Sequence, residues 1–354
     1  MIAPSRAPLV DKDPENGSTE STENTDMNEK QEWLPWNKQR RNKQSCLGRE
    51  KGIQWAGYTG CHRGRFAARG CKGIGMIIFQ NEAVTVFQSA LQMTTSTVVE
   101  TDSAIFVADP CWLPAEVEEI RRWVSQHRNG RPLFVLFTHS DFDHIVGYGA
   151  FREGKVVASK FFKDNPGKHH IIDQIRDWDN QQYIRRPYEP QFPRVDYVID
   201  HNDQKETFAD EIVSFRFARG HNPDGMFTLF HEQGLLLAGD FLSDFELPLV
   251  NHSLEEYQTS LARARDWITS LKVKMLVPGH GAPTMDVQEM LCRIETAGDY
   301  LRRLEKAVRA ADPDGLKALG EEFVFPSKFT REGHAANVRV IRRELGLPDP
   351  ESPE

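Results

Sequence analysis

From residue 76 onward, the apolar positions fall into short runs separated by polar residues. Runs at 76–79, 83–87, 97–100 and 104–108 are rich in Val, Ile, Phe and Thr, which predicts a meander of strands whose last member closes on Asp109-Pro110. Between residues 114 and 127 the spacing changes. Val117, Ile120, Trp123 and Val124 recur at intervals of three and four with polar residues between, which predicts an amphipathic helix. A further strand is expected at 131–137, and strand, helix and strand in this order predict a βαβ step with a site at the carboxyl edge of the sheet. The pattern then predicts a short strand at 156–159 and a polar helix over 165–183. Strands follow at 197–199 and 212–218, with a hairpin made of 226–231 and 234–238. A helix over 253–271, a strand at 275–277 and two closing helices near 287–311 and 332–345 complete the chain, with no internal repeat.

Residues 1–75 show none of this periodicity. They are polar to about residue 50, with a basic patch at Lys38, Arg40, Arg41 and Lys43, and then glycine-rich and basic. Their apolar surface is too small to offset the entropy of ordering them, so 1–75 is expected to be a disordered or poorly structured leader, 76–345 one domain, and 346–354 a flexible tail.

Composition adds limits. An apolar fraction of 39% and a charged fraction of 27% are those of a soluble globular protein. The net charge of -8 and the scattered basic residues argue against nucleic acid as the main partner. No apolar run approaches the roughly 20 residues of a membrane span, and no secretory signal is visible, so a cytoplasmic protein is expected. The five cysteines contain no C-x-x-C pair, and the spacing of Cys46, Cys61, His62 and Cys71 matches no zinc module.

The candidate chemistry begins where the strand at 131–137 empties into Thr138-His139-Ser140-Asp141-Phe142-Asp143-His144. Two imidazoles and two carboxylates so close together would repel or stay unsatisfied at the end of a buried strand unless a cation sat among them. Three later strands also end in metal-binding residues: Gly220-His221, Gly239-Asp240 and Gly279-His280-Gly281. Only a fold that gathers strand ends can unite them, and the glycines would let the backbone turn sharply there.

The order of these motifs resembles that of the metallo-β-lactamase superfamily over roughly residues 76–345. The resemblance implies an α/β fold, a four-layer αββα sandwich, and two divalent metal ions, with Zn2+ the first expectation. His139, Asp141 and His221 would hold one ion; Asp143, His144 and His280 the other; Asp240 would bridge them. A metal-bridging hydroxide would be the nucleophile, and Asp143 the catalytic carboxylate that orients it and passes a proton to the leaving group. The sequence departs from the family at Asp141, where a histidine is usual. Three carboxylates with four imidazoles give a formal ligand charge of about -3, and an oxygen-richer shell brings Mn2+ or Fe into consideration.

The expected activity is metal-dependent hydrolysis of an ester, thioester or lactone bond in a small molecule. A phosphodiesterase or nuclease of the same fold, and an iron-dependent oxidoreductase, are the alternatives. His334 resembles a C-terminal histidine of many members of the superfamily and is a candidate substrate contact. Asp109 is expected to be structural, Thr138 and Ser140 to donate hydrogen bonds around the first ligand, and Arg185 and Arg186 to be a solvated pair. His169, His170, His201, His231 and His252 are expected at the surface.

Overall fold

The structure, a computed structural model, describes residues 76–348. The expected leader at 1–75, its three cysteines, and residues 349–354 of the expected tail lie outside the described residues.

The first sheet holds seven strands side by side in chain order: β1 (Ile77–Gln80), β2 (Val84–Gln88), β3 (Thr95–Glu100), β4 (Ile105–Ala108), β5 (Leu133–Leu136), β6 (Lys155–Ser159) and β7 (Tyr197–Ile199). The first four form the predicted antiparallel meander, and β4 to β7 run parallel. Parallel neighbours need crossovers. These are α1 (Pro114–His127), then α2 (Phe142–Ile145) with a 3-10 turn at 146–150, then α3 (Lys160–Lys163) and α4 (Lys168–Gln181). The second sheet has the order β12-β11-β10-β9-β8. It consists of β8 (Gln204–Phe208), β9 (Glu211–Phe217), β10 (Met226–Phe230), β11 (Leu235–Leu237) and β12 (Met275–Val277). Helix α5 (Leu254–Ser270) links the parallel pair β11 and β12, and α6 (Val287–Arg309), α7 (Pro313–Gly320) and α8 (Lys328–Glu344) follow.

Strand alternation builds the layers. Ile105, Val107, Leu133 and Val135 pack with Val117, Ile120 and Val124 of α1 on one face of the first sheet. Phe106, Ala108, Phe134 and Leu136 point the other way, into a core shared with Phe208, Phe215, Phe230 and Leu237 of the second sheet. Phe106 stacks on Phe134 at 5.1 Å and meets Phe230 edge-on at 5.1 Å, so the sheets interlock through aromatic rings. Complete burial of each such side chain stabilises the fold by about 1.5–3 kcal/mol. On the far face of the second sheet, Tyr257, Trp267, Tyr300, Leu304 and Ile341 bring in α5, α6 and α8. The result is the expected four-layer αββα sandwich. Among the described residues no helix is long and apolar enough to cross a membrane.

Three local features differ from the sequence reading. Strand β8 was not expected: as an edge strand reading Gln-Lys-Glu-Thr-Phe it buries only its final Phe208 fully, so polar residues dominate its pattern. Helix α7 is one short turn pair capped by Asp312 with Leu319 its only buried residue, and α8 begins at Lys328, earlier than expected, on a Ser327–Thr330 capping box. Arg186 is not solvated. Its guanidinium grips Asp179 at 2.8 and 2.9 Å and donates to the Trp112 carbonyl at 2.8 Å, pinning the proline-broken segment after α4 to the turn before α1.

Candidate metal centre

The ends of β5, β9, β11 and β12 meet at one edge of the sandwich. There the two sheets are tied directly: Met226 N–H donates to the Thr138 carbonyl and Thr95 N–H to the Gly279 carbonyl, both at 2.7 Å. Beyond β5 the chain stays extended to Asp141, which sits at the N-terminus of α2, so that Asp143 and His144 lie in the first helical turn. His139, Asp143, His144, His221 and His280 are buried; Asp141 is the most open of the set, its side chain 35% exposed.

All four imidazoles turn Nε2 inward toward carboxylates. His221 Nε2 lies 2.9 Å from Asp141 Oδ2 and 3.3 Å from Asp240 Oδ2. His139 Nε2 is 3.6 Å from both Asp141 Oδ2 and Asp240 Oδ2. His144 Nε2 is 3.0 Å from Asp240 Oδ1, and His280 Nε2 is 3.4 Å from Asp143 Oδ2 and from Asp240 Oδ2.

Each Nδ1 is tied off on the outside. His221 donates to the Leu249 carbonyl at 2.8 Å, His280 to the Gln92 carbonyl at 2.9 Å, and His144 to Asp109 Oδ2 at 3.1 Å. The Thr138 hydroxyl donates to Asp109 at 2.5 Å and so accepts from His139 Nδ1 at 2.9 Å. Since carbonyls and carboxylates only accept, these partners keep the proton on Nδ1 and leave the neutral ring's Nε2 lone pair facing the centre.

Donor atoms of His139, Asp141, His221 and Asp240 lie within 4.8 Å of one another, as do those of Asp143, His144 and His280. These two groups could each hold a metal ion, and they contain all seven residues singled out in the sequence. A third group, Asp109 with His139 and His144, lies on the Nδ1 side and is already satisfied internally through Thr138.

The unpaired atoms point to the same place. His139 Nε2 is buried with no carboxylate oxygen nearer than 3.6 Å, and Asp240 Oδ1 is buried with only the approach of His144 Nε2 at 3.0 Å. Such groups cost about 1–3 kcal/mol each when left unmatched, and a cation between them removes that cost. Titration behaviour agrees. Burial and the nearby His144 disfavour a charged His139, yet Asp240 and Asp141 outweigh them and push it up to about 10. His144, His221 and His280 are likewise raised against burial, chiefly by Asp240 and by Asp141 at His221. Against the burial that would raise them, the histidines hold Asp141 and Asp240 well below the usual carboxylate range. The carboxylates thus create a site that draws positive charge, and a metal ion satisfies it with the donor types present.

Two glycines are required by this geometry. A side chain at Gly279 would press on Asp240 and lie 2.9 Å from His144 Cε1, and Gly220, at φ +122°, runs against the backbone of Tyr257.

Several supporting residues were missed in the sequence. Asp224, fully buried, accepts from the Ser140 hydroxyl at 2.6 Å and from Asn165 at 2.9 Å, which fixes the residue between His139 and Asp141; burial raises its carboxyl pKa. Asn222 donates to Asp141 Oδ1 at 3.2 Å. Glu246 is partly buried near the cluster; burial raises its carboxyl pKa while His280 works the other way. The Asn222-Pro223-Asp224-Gly225 stretch reads only as a turn, and no periodic signal marks Glu246. Asp109 does more than end a strand, since it orients both Thr138 and His144.

His334 is engaged elsewhere. Its Nδ1 accepts from Tyr300 Oη at 2.9 Å and its Nε2 donates to the Leu316 carbonyl at 2.8 Å, which places the ring in the packing of α6, α7 and α8. His169, His170, His201 and His231 are exposed as expected. His252 is instead partly buried, paired with Glu256 at 2.7 Å and beside Arg219.

The sandwich and its clustered strand ends define a hydrolase-type αββα fold with candidate metal ligands. Residues 92–280, more than half of the chain, match the family model described as the Metallo-beta-lactamase superfamily, and the protein belongs to that superfamily. No curated protein sequence matches it. Among solved structures it is similar to the stereoselective inverting sec-alkylsulfatase Pisa1 from Pseudomonas sp., at 16% identity and a TM-score of 0.56. That match covers 78% of this chain and 52% of the sulfatase, so the chain spans about half of that protein's length. A metallo-beta-lactamase family protein from Thermus thermophilus is similar at 17% identity and a TM-score of 0.53, covering 75% of this chain and 94% of the other. At these identities the likeness is one of fold.

Proposed function

We propose that the protein is a metal-dependent hydrolase that cleaves an ester, thioester or lactone bond in a small molecule. The observation that carries this reading is the common orientation of the four histidines, every Nε2 facing the carboxylates and every Nδ1 held from behind. His139, Asp141 and His221 would hold one divalent ion, Asp143, His144 and His280 a second, and Asp240 would contact both. Zinc is the first candidate, with manganese or iron favoured relative to an all-histidine site by Asp141. Bound there, such ions supply Lewis acidity and lower the pKa of water toward neutrality.

The protein's own groups supply the rest. Asp143, whose Oδ2 lies 3.5 Å from His144 Nε2 and 3.4 Å from His280 Nε2, would orient an attacking water and carry its proton to the leaving group. Asp109 and Thr138 hold His144 and His139 in register, and Asp224 does so for the loop between His139 and Asp141. Asp141 is the most exposed of the seven, and substrate would enter from its side.

The test is elemental analysis of the purified protein, followed by turnover of ester, thioester, lactone and phosphodiester panels after chelation and after return of zinc, manganese or iron. We expect about two metal equivalents, acyl-bond cleavage lost on chelation, and recovery with one of the three ions. Undiminished turnover in the stripped protein, or cleavage of phosphodiesters alone, would overturn the proposal.

A further inference from the structure

A segment beside the centre is fixed to it at both ends. Residues 241–249 begin directly after Asp240 and run to Leu249, whose carbonyl holds His221 Nδ1 at 2.8 Å; Asn251 N–H then donates to the His221 carbonyl at 2.9 Å. Midway, Asp244 accepts from Ala282 N–H at 2.8 Å, two residues beyond His280. The ring of Phe245 comes so near the chain there that a Cβ on Gly281 would lie 3.2 Å from it. Phe245 therefore stands one residue from a proposed ligand.

Its outer side is covered by Phe325, edge-on at a centroid distance of 5.3 Å. Phe325 is itself 45% exposed, flanked by Val324 at 42% and Phe329 at 47%. Three of the nine large exposed hydrophobic residues among those described thus fall within one six-residue stretch, next to the Phe245 segment. Scattered exposed apolar residues are ordinary, whereas a cluster that continues into a binding site calls for an apolar occupant.

We propose that Phe245, Phe325 and Phe329 form an apolar rim that receives the hydrocarbon chain of the substrate, which makes the preferred substrates esters or thioesters of medium- or long-chain acyl groups. The inference rests on the hydrolase reading and names its substrate class. The ester carbonyl goes to the metal centre and the chain runs outward past Phe245 onto Phe325.

Two measurements on the full-length, metal-loaded protein test this. In the first, kcat/KM is followed along a series of acyl esters of two to twelve carbons with one common leaving group. Complete burial of a methylene is worth up to about fourfold, so a rise of about two- to fourfold per methylene over part of the series is expected. Phe325→Ser should flatten that slope, and Phe325→Leu should restore it. In the second, calorimetry follows the Kd of n-alkyl hydroxamic acids over the same lengths, which reads the rim without turnover. If no ester is cleaved yet hydroxamate affinity climbs with chain length and flattens in Phe325→Ser, the hydrolase reading falls and the rim stands. Turnover with no dependence on chain length, or hydroxamate affinity independent of it, overturns the rim and leaves the hydrolase reading intact. A change of oligomeric state in Phe325→Ser with the chain-length slope unchanged would assign the patch to contact between copies and also overturn it.

Discussion

Replacing Asp109 with Asn isolates what one buried charge contributes to the centre. The position is left-handed, at φ 45°, a conformation that Asn tolerates as well as Asp, so the backbone is not the variable. The Asp109 carboxylate accepts three hydrogen bonds, from Thr138 N–H at 2.9 Å, the Thr138 hydroxyl at 2.5 Å and His144 Nδ1 at 3.1 Å. An amide has only one oxygen. If it faces Thr138 Oγ1 and His144, its NH2 opposes the Thr138 N–H; if it turns over, the NH2 opposes His144 and drives that ring's proton to Nε2, where a metal must bind. Losing a charge-assisted hydrogen bond of this kind costs about 1.5–3 kcal/mol. Loss of such an orienting partner lowers metal affinity about 10- to 100-fold, or about 1.4–2.8 kcal/mol, which is the same range. The assay is competition for zinc with a chromophoric chelator, with far-UV circular dichroism as the check on folding. A folded Asp109→Asn protein that binds zinc as tightly as the parent would refute the role assigned to Asp109.

Gly279→Ala should leave the sandwich folded but lower metal content below the parent's, because its methyl would stand 2.9 Å from His144 Cε1; elemental analysis reads the outcome. Asp141→His lowers the formal ligand charge by one and should shift metal preference toward zinc over manganese, measured by loading from an equimolar mixture; an unchanged ratio would show that Asp141 does not ligate. At His334 burial holds the imidazole pKa below its ordinary value, so the folded state favours the neutral ring. Protonation then favours the unfolded chain, and the stabilising contribution, complete above about pH 6.5, is lost as pH falls. His334→Gln should therefore have a urea midpoint that drops less between pH 7 and pH 5 than the parent's, and an equal drop would contradict the sign.

The clustering of the seven candidate ligands was legible because their four stretches each follow a strand and carry residue types that are costly to bury without a counter-charge. Their supports were not. Asp224 sits in what reads as an ordinary turn, and its partner Ser140 is 84 residues earlier, a pairing that only the meeting of the sheets creates. Glu246 and Phe245 lie on a strap with neither helical nor strand periodicity, so nothing local predicts which way they face. Strand β8 was hidden for the opposite reason: it is regular, but at a sheet edge its polar residues satisfy solvent and only Phe208 declares the core. His334 shows the limit of reading a helix start by residue type, since the packing of α6 and α7 against α8 decided where its ring goes.

The division of the centre between sheets has a consequence for synthesis. The first half of the chain carries His139, Asp141, Asp143 and His144, but His221, Asp240 and His280 emerge only later, the last of them beyond β12. The proposed coordination shell therefore cannot close on the ribosome until β12 has appeared and joined β11, parallel to a strand made some forty residues earlier. A cation captured too soon would meet the anionic cluster of the first half alone and have to be surrendered or rearranged. Full occupancy would then mark a chain that has both finished and docked its second half, so that metal uptake keeps time with folding rather than leading it.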